Sequence, residues 1–271
     1  MKNTKRLAIL GAGNIGAAIA EGLMAADLFK PDQITLTRRK IQFLEDFKKR
    51  GVVVTNNNAD AVREADLIII AVEPQQIDGL LDEIASELVV DHHSIISVVT
   101  GVATRQILKR IDKKIEVVRA MPNTAIAIRE SMTCLTSEQP DSRAMQQATT
   151  VFNTVGRSLF IEEELMGAAT ALGACGIAFF LRAIRAASQG GIEIGFNSEK
   201  ALKIASQTAK GAAALLLENE QHPEFEIDKV TTPRGVTISG LNQMEHEGFS
   251  SAMIKGIVTS AQKASYLYVE K

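Results

Sequence analysis

Gly11-Ala12-Gly13-Asn14-Ile15-Gly16 is the first stretch whose residue types and spacing suit a chemical task. It follows an apolar run and opens a helical pattern, the setting in which three glycines hold a dinucleotide pyrophosphate. Gly11 permits a tight turn, Gly13 leaves room for phosphates, and Gly16 lets the helix close on the strand. The N–H groups at the helix start, near Asn14 and Ile15, then face negative charge. Taken alone, the same pattern also occurs in purely structural glycine turns.

Thr37-Arg38-Arg39 ends a second apolar run. Folds that bind NAD usually carry an acidic residue here, which accepts from the ribose 2′-hydroxyl. A guanidinium in its place can pair bidentately with a 2′-phosphate, and Thr37 can add a hydroxyl hydrogen bond. NADPH is therefore the expected cofactor, with NADH a weaker alternative; a solvated basic patch is the competing explanation. Ala71-Val72-Glu73-Pro74 follows a further apolar run, where backbone passes along a cofactor at the carboxyl edge of a sheet. Glu73 would sit badly beside a polyanion, is read as turned outward, and receives no catalytic role.

Few acid–base candidates remain. His92, His93, His222 and His246 lack metal-ligand spacing and read as surface or loop residues, so no metal is expected. Cys175 reads as a small core residue in a packed helix. Hydride transfer needs none of them, because the cofactor supplies the chemistry and the protein supplies orientation and charge. The segment Val230–Leu241 is a Pro/Gly turn crowded with hydroxyls ahead of a helical pattern. Its successive N–H groups could bind a carboxylate, and Thr237 could reach a substrate heteroatom. A helix-capping loop fits the same residues equally well.

These segments need elements to position them. Arg6–Leu10, Gln33–Thr37, Val52–Thr55, Leu67–Val72, Ser94–Val99 and Ile115–Arg119 read as strands. Helical patterns alternate with them, over Asn14–Phe29 and through Lys49. That alternation predicts a doubly wound α/β sheet, closed by a further strand-and-helix stretch from Met121 to Phe160. Beyond it, Glu162–Gly195, Ser198–Glu220 and Leu241–Val269 read as helical blocks, with a polar loop at Asn219–Asp228. The expected division is a Rossmann-like domain over residues 1–160 and an all-helical domain over 161–271.

Composition narrows the partners. A formal net charge of −2 and scattered basic residues argue against nucleic acid and against a polybasic membrane patch. Two cysteines fit a reducing compartment, and the charged residues Met1–Arg6 do not read as a signal peptide. A cytoplasmic protein is expected. Leu165–Leu181 carries no charge and sits at the lower length limit for a membrane span. Its Gly, Ala and Thr content favours a helix packed closely against protein.

Several of these segments, in this order, resemble the pyrroline-5-carboxylate reductase family. The glycine turn, the Val-rich strand with Pro74, and Arg119-Ala120-Met121-Pro122-Asn123 follow its pattern. Thr170–Phe179 is similar to its Thr-Ala-Leu-Ser-Gly-Ser-Gly-Pro-Ala-aromatic run. Val230–Leu241 is similar to its Val-Thr-Ser-Pro-Gly-Gly-Thr-Thr-x-x-Gly-Leu signature, with Glu245, Gly248 and Phe249 downstream.

The resemblance implies a Rossmann-like domain followed by an all-helical dimerisation domain, with dimers assembling into decamers. It implies NADPH-dependent reduction of a small cyclic imino acid, 1-pyrroline-5-carboxylate, to L-proline. By the same resemblance, Asn58 contacts the ribose, Ala71, Val72 and Pro74 line the cofactor, and Met121 and Pro122 lie near the nicotinamide. Turn amides around Thr232, Gly235 and Val236 hold the carboxylate, and the Thr237 hydroxyl orients the ring nitrogen without acting as general acid. Departures leave two alternatives open: a reductase of another cyclic imine, or a weakly active regulatory relative. Arg234 stands at a family glycine, Val236 at a common threonine, and Glu73 at a common lysine. Ala174, Cys175 and Ile177 also depart from the family run.

Overall fold

Leu67–Ile70, the most apolar run, becomes a strand with every residue buried. Its side chains divide between two cores. Leu67 and Ile69 join one cluster with Leu7, Ile9 and Phe152, whereas Ile68 and Ile70 join another with Ala8, Leu10 and Ile107. A strand apolar on both faces requires helices on both faces, and that requirement sets the architecture. The computed structural model describes residues 5–264.

Eight strands form one sheet in the order β3-β2-β1-β4-β5-β6-β7-β8. They are β1 (Leu7–Leu10), β2 (Ile34–Thr37), β3 (Val53–Thr55), β4 (Leu67–Ile70), β5 (Ser94–Ser97), β6 (Glu116–Met121), β7 (Ser131–Thr136) and β8 (Gly156–Phe160). All neighbours pair in parallel except β6 with β7. Strand order reverses between β1 and β4, so their carboxyl ends open a crevice at a topological switch point. The intervening helices are α1 (Asn14–Ala25), α2 (Glu45–Lys49), α3 (Asn58–Arg63), α4 (Ile77–Ile84), α5 (Thr104–Ile111) and α6 (Arg143–Thr154).

The first compact unit covers described residues 5–175 together with 260–264. Its contacts extend beyond residue 160, where side-chain bonds tie the next segment to the sheet. Arg119 of β6 donates to Glu163 at 2.6 Å, and Asn123 Nδ2 donates to the Gly173 carbonyl at 3.2 Å. This segment holds α7 (Met166–Ala169) and a π-helical turn at Thr170–Cys175. Cys175 is only half-buried there, rather than a packed core residue.

Gly176–Thr259 is a second unit, made of α8 (Gly176–Glu193), α9 (Ser198–Asn219), α10 (Pro223–Lys229), α11 (Val236–His246) and most of α12 (Phe249–Ala264). Two expectations are corrected here. The expected polar loop Asn219–Asp228 is largely taken up by α10, started by Pro223 at its first position and capped by His222 Nδ1 on the Glu224 N–H. The block Leu241–Val269 is two helices, because Gly248 breaks it at φ +79°, and the first begins earlier, at Val236. Its end, Val269, lies outside the described residues.

This second unit buries almost nothing. Ala201 is its one buried hydrophobic side chain among the described residues, while Phe180, Leu181, Ile192, Ile194 and Leu202 lie exposed. Glu163–Glu193 is long and apolar enough to cross a membrane by length and composition, and only 22% of its most apolar window is buried. The expected burial of this helix by protein is therefore not met within the chain itself.

His93 is a loop residue, as expected, but a buried one. It is 2% exposed, with Nδ1 accepting from the Val89 N–H at 2.8 Å. Burial and the neighbouring His92 push its pKa down.

Candidate active site

The turn after β1 is built around Gly11, whose φ of +94° few side chains adopt. A Cβ there would lie 2.8 Å from the Ala71 carbonyl oxygen. Gly16 is as constrained, since a Cβ would fall 2.6 Å from the Gly11 oxygen. Gly13 differs: a Cβ there would meet nothing within 4 Å. The open space beside Gly13 is the room a pyrophosphate requires. Gly13 also caps α1 without a side-chain hydrogen bond, and no acidic residue stands in the first turn. The N–H groups of Asn14 and Ile15 are thus left for an anion.

A cavity of about 630 Å³ opens here, lined by Gly11, Gly13, Thr37, Arg38, Arg39, Asn58, Ala71 and Val72 among others. It lies where the strand order reverses. None of Arg38, Arg39 and Lys40 has an ion pair among the described residues. Arg38 instead stacks on the exposed Phe43 ring, 4.6 Å from its centroid. Arg39 and Lys40 are exposed at the cavity wall, where an anionic ligand could meet them.

Thr37 has another task than the one expected. It is 2% exposed, its hydroxyl donates to Asn58 Oδ1 at 2.6 Å and accepts the Gly11 N–H at 3.2 Å. A hydroxyl with both capacities engaged in the protein is not a phosphate donor; it holds the glycine turn against α3. Asn58 lines the cavity from the first turn of α3, with Nδ2 on Glu83 at 2.9 Å.

Past β4, Ala71 and Val72 line the cavity and Pro74 opens the short 3-10 helix that leads into α4. Glu73 also lines the cavity and is itself exposed; Gln76 Nε2 donates to it at 3.4 Å. Asn14, Ile15, Gly16 and Pro74 do not line this cavity, and neither do Met121 and Pro122. The last two are buried at the carboxyl end of β6. That end shares an edge with Gly11 and Val72, two strands beyond β4. Sequence reading missed Phe43, Asn56, Gln75, Gln76 and Glu83 as lining residues. The first lay in a plain amphipathic pattern, and the last comes from a helix with no motif.

In the second unit, Thr232-Pro233-Arg234-Gly235 is a turn closed by the Gly235 N–H on the Thr232 carbonyl at 2.9 Å. Gly235 is required, because a Cβ would stand 2.5 Å from Thr232 Oγ1. That bond engages the Gly235 amide, one of those expected to hold the anion, within its own turn. Gly235 caps α11 with no side-chain hydrogen bond, and no acidic residue occupies the first turn. The available donors are the N–H groups of Val236, Thr237 and Ile238. Val236 is 91% exposed, and Thr237 is half-buried at the second helical position.

Arg234 occupies the left-handed region at φ +60°. A non-glycine residue there costs about 1–2 kcal/mol. Arg234→Gly should therefore raise stability by under about 1 kcal/mol, after the greater freedom of glycine in the unfolded chain is subtracted. Arg234→Val should lower it by about 1 kcal/mol or more. Urea midpoints of the three proteins check the order; a valine variant as stable as the arginine form contradicts the strain.

Two family models match the chain. "Pyrroline-5-carboxylate reductase dimerisation" covers residues 163–267, and "NADP oxidoreductase coenzyme F420-dependent" covers 6–101. Pyrroline-5-carboxylate reductase 1 of Dictyostelium discoideum is 54% identical over 98% of this chain, which spans 50% of that relative's length. Pyrroline-5-carboxylate reductase 2 of the same organism is 48% identical over 98% of this chain and 94% of its own. Among solved structures, Coxiella burnetii pyrroline-5-carboxylate reductase superposes with a TM-score of 0.88 at 29% identity, covering 99% of this chain and 100% of that one. Plasmodium falciparum pyrroline carboxylate reductase with NADP bound shares the fold, with a TM-score of 0.89 at 23% identity, covering 99% and 100%. With a glycine turn at a strand-order reversal and 48% identity over 94% of one such relative's length, this chain is a member of the pyrroline-5-carboxylate reductase family.

Proposed function

We propose that the chain reduces 1-pyrroline-5-carboxylate to L-proline, with NADPH as the preferred hydride donor and NADH a weaker one. The observation that carries this is 48% identity to a pyrroline-5-carboxylate reductase over 94% of its length. The cavity is consistent with it: open space at Gly13, an uncapped helix start, and Arg39 and Lys40 without ion pairs. Gly11, Gly13, Asn14 and Ile15 would hold the pyrophosphate, Arg38, Arg39 and Lys40 the 2′-phosphate, and Ala71, Val72 and Pro74 the chain between.

When bound, the nicotinamide supplies the hydride for the C=N carbon. The chain supplies position and charge. Amides of Val236 and Thr237 at the start of α11 hold the substrate carboxylate through hydrogen bonds and the helix dipole. The Thr237 hydroxyl then orients the ring nitrogen. A hydroxyl is too weak an acid to protonate the imine, so the proton arrives on the substrate or through water.

Thr237→Ala should lower kcat/KM by roughly tenfold to a hundredfold, the scale of about 1–3 kcal/mol for a lost buried hydrogen bond. Steady-state turnover of pyrroline-5-carboxylate and its six-membered homologue, with NADPH and NADH in parallel, tests both substrate and cofactor. Turnover of neither imine by the unaltered chain would remove the proposed activity.

The exposed apolar side chains of the helical unit fit a second copy of the chain in a homodimer, and decamers built from it. Arg182 and Arg185 within α8 suit a protein interface better than hydrocarbon. With a net charge of −2, neither nucleic acid nor a membrane is proposed as partner, and the proposed location is the cytoplasm.

A further inference from the structure

Glu83 stands in the last turn of α4 and lines the same cavity as Arg38, Arg39 and Lys40. Its carboxylate takes two hydrogen bonds from one residue. Oε1 accepts the Asn58 backbone N–H at 3.3 Å, and Oε2 accepts Asn58 Nδ2 at 2.9 Å. A carboxylate only accepts, so the Asn58 amide group must face it. Asn58 Oδ1 must then face Thr37, whose hydroxyl donates to it at 2.6 Å. That leaves a Thr37 lone pair for the Gly11 N–H at 3.2 Å. The polarity of the whole chain, from α4 to the turn after β1, is set at its carboxylate end.

The same carboxylate puts a negative charge on the wall of a cavity made positive by three cations. It does so beside Asn58 and Thr37, at the carboxyl end of β2, where the ribose of a dinucleotide lies. A negative charge there suits a 2′-hydroxyl and opposes a 2′-phosphate. Glu73 lines the cavity too, but its side chain takes a hydrogen bond from Gln76, within its own loop. Glu83 is the acid joined to the ribose end.

We infer that Glu83 is a positioning residue that also sets cofactor choice, holding Asn58 for the ribose while its charge restrains the preference for NADPH over NADH. The inference rests on the proposed dinucleotide function of the cavity. It also accounts for an acid in the ribose region although β2 ends in basic residues.

The test is Glu83→Gln, which keeps an acceptor for Asn58 and removes the charge. Binding of adenosine 2′,5′-bisphosphate and of adenosine 5′-phosphate is titrated calorimetrically, alongside kcat/KM with NADPH and NADH. The variant should bind the bisphosphate about tenfold more tightly than the unaltered chain does, the scale of one partly screened charge. Its affinity for the monophosphate should change little, and the NADPH/NADH ratio of kcat/KM should rise in step. Glu83→Ala should weaken both nucleotides through loss of the hold on Asn58, with the ratio raised as in the glutamine variant. Equal changes for both nucleotides in Glu83→Gln, with the ratio unmoved, overturn the inference and leave the dinucleotide function standing. Failure of the unaltered chain to bind any of these nucleotides would overturn the dinucleotide function itself.

Discussion

Gly11→Ala should abolish dinucleotide-dependent turnover and lower stability, while Gly13→Ala should spare stability and lose only the dinucleotide. The two positions stand two residues apart and have different constraints. At Gly11 the backbone is left-handed, at φ +94°, and the added Cβ would lie 2.7 Å from Val72 Cγ1 and 2.8 Å from the Ala71 oxygen. The conformation costs a side chain about 1–3 kcal/mol, and overpacking adds about 1–3 kcal/mol. The turn would shift, taking with it the Gly11 N–H bond to Thr37. At Gly13 the backbone is extended, at φ −82°, and nothing lies within 4 Å of the added atom. Stability should stay within about 0.5 kcal/mol. The methyl would fill the space left for phosphate, weakening NADP binding by about tenfold or more. Urea midpoints and titration of NADPH, followed by the fluorescence of its reduced nicotinamide, separate the two effects. A Gly13→Ala variant that binds NADPH like the unaltered chain removes the pyrophosphate from this turn.

Glu163→Ala should be the most destabilising charge change in the sheet unit. Arg119 is 7% exposed on β6, and its guanidinium meets Glu163 at 2.6 Å. Glu163 also accepts from the Thr104 N–H at 3.3 Å and from its hydroxyl at 3.5 Å, joining the start of α5 to the segment after β8. Removing the carboxylate leaves a buried cation without its partner, which costs about 3–5 kcal/mol in a fully buried pair. Glu163 is 36% exposed, so water enters and the cost falls to about 2–3 kcal/mol. Arg119→Met should cost less, because Glu163 can then turn to solvent. The double variant Arg119→Met/Glu163→Leu should recover most of the loss. A cycle of urea midpoints over the four proteins checks this. Equal losses in both single variants would show that the pair is solvated.

Much of the nucleotide half was legible in the chain because its signals are local. The glycine turn works through backbone conformations of neighbouring residues, and the apolar run Leu67–Ile70 announces a strand covered on both faces. The limits lay where a neighbour in space is far away in sequence. The hydroxyl of Thr37 looked free for a phosphate until Asn58 and Gly11 took both of its capacities. The bonds from Arg119 to Glu163 and from Asn123 to Gly173 were equally hidden, since each joins residues 44 or 50 positions apart.

The order of types along the chain determined by itself that strands and helices alternate, that a phosphate turn follows β1, and that basic residues end β2. Each of these depends on side-chain periodicity or on a few contiguous dihedral angles. Folding alone decided that Glu83 joins Asn58, that Arg234 is held left-handed, and that the Gly235 amide is spent within its turn. Those outcomes depend on distances between segments that share no local pattern. Hydrogen bonds and charges act over a few ångströms of space, whatever the separation along the chain.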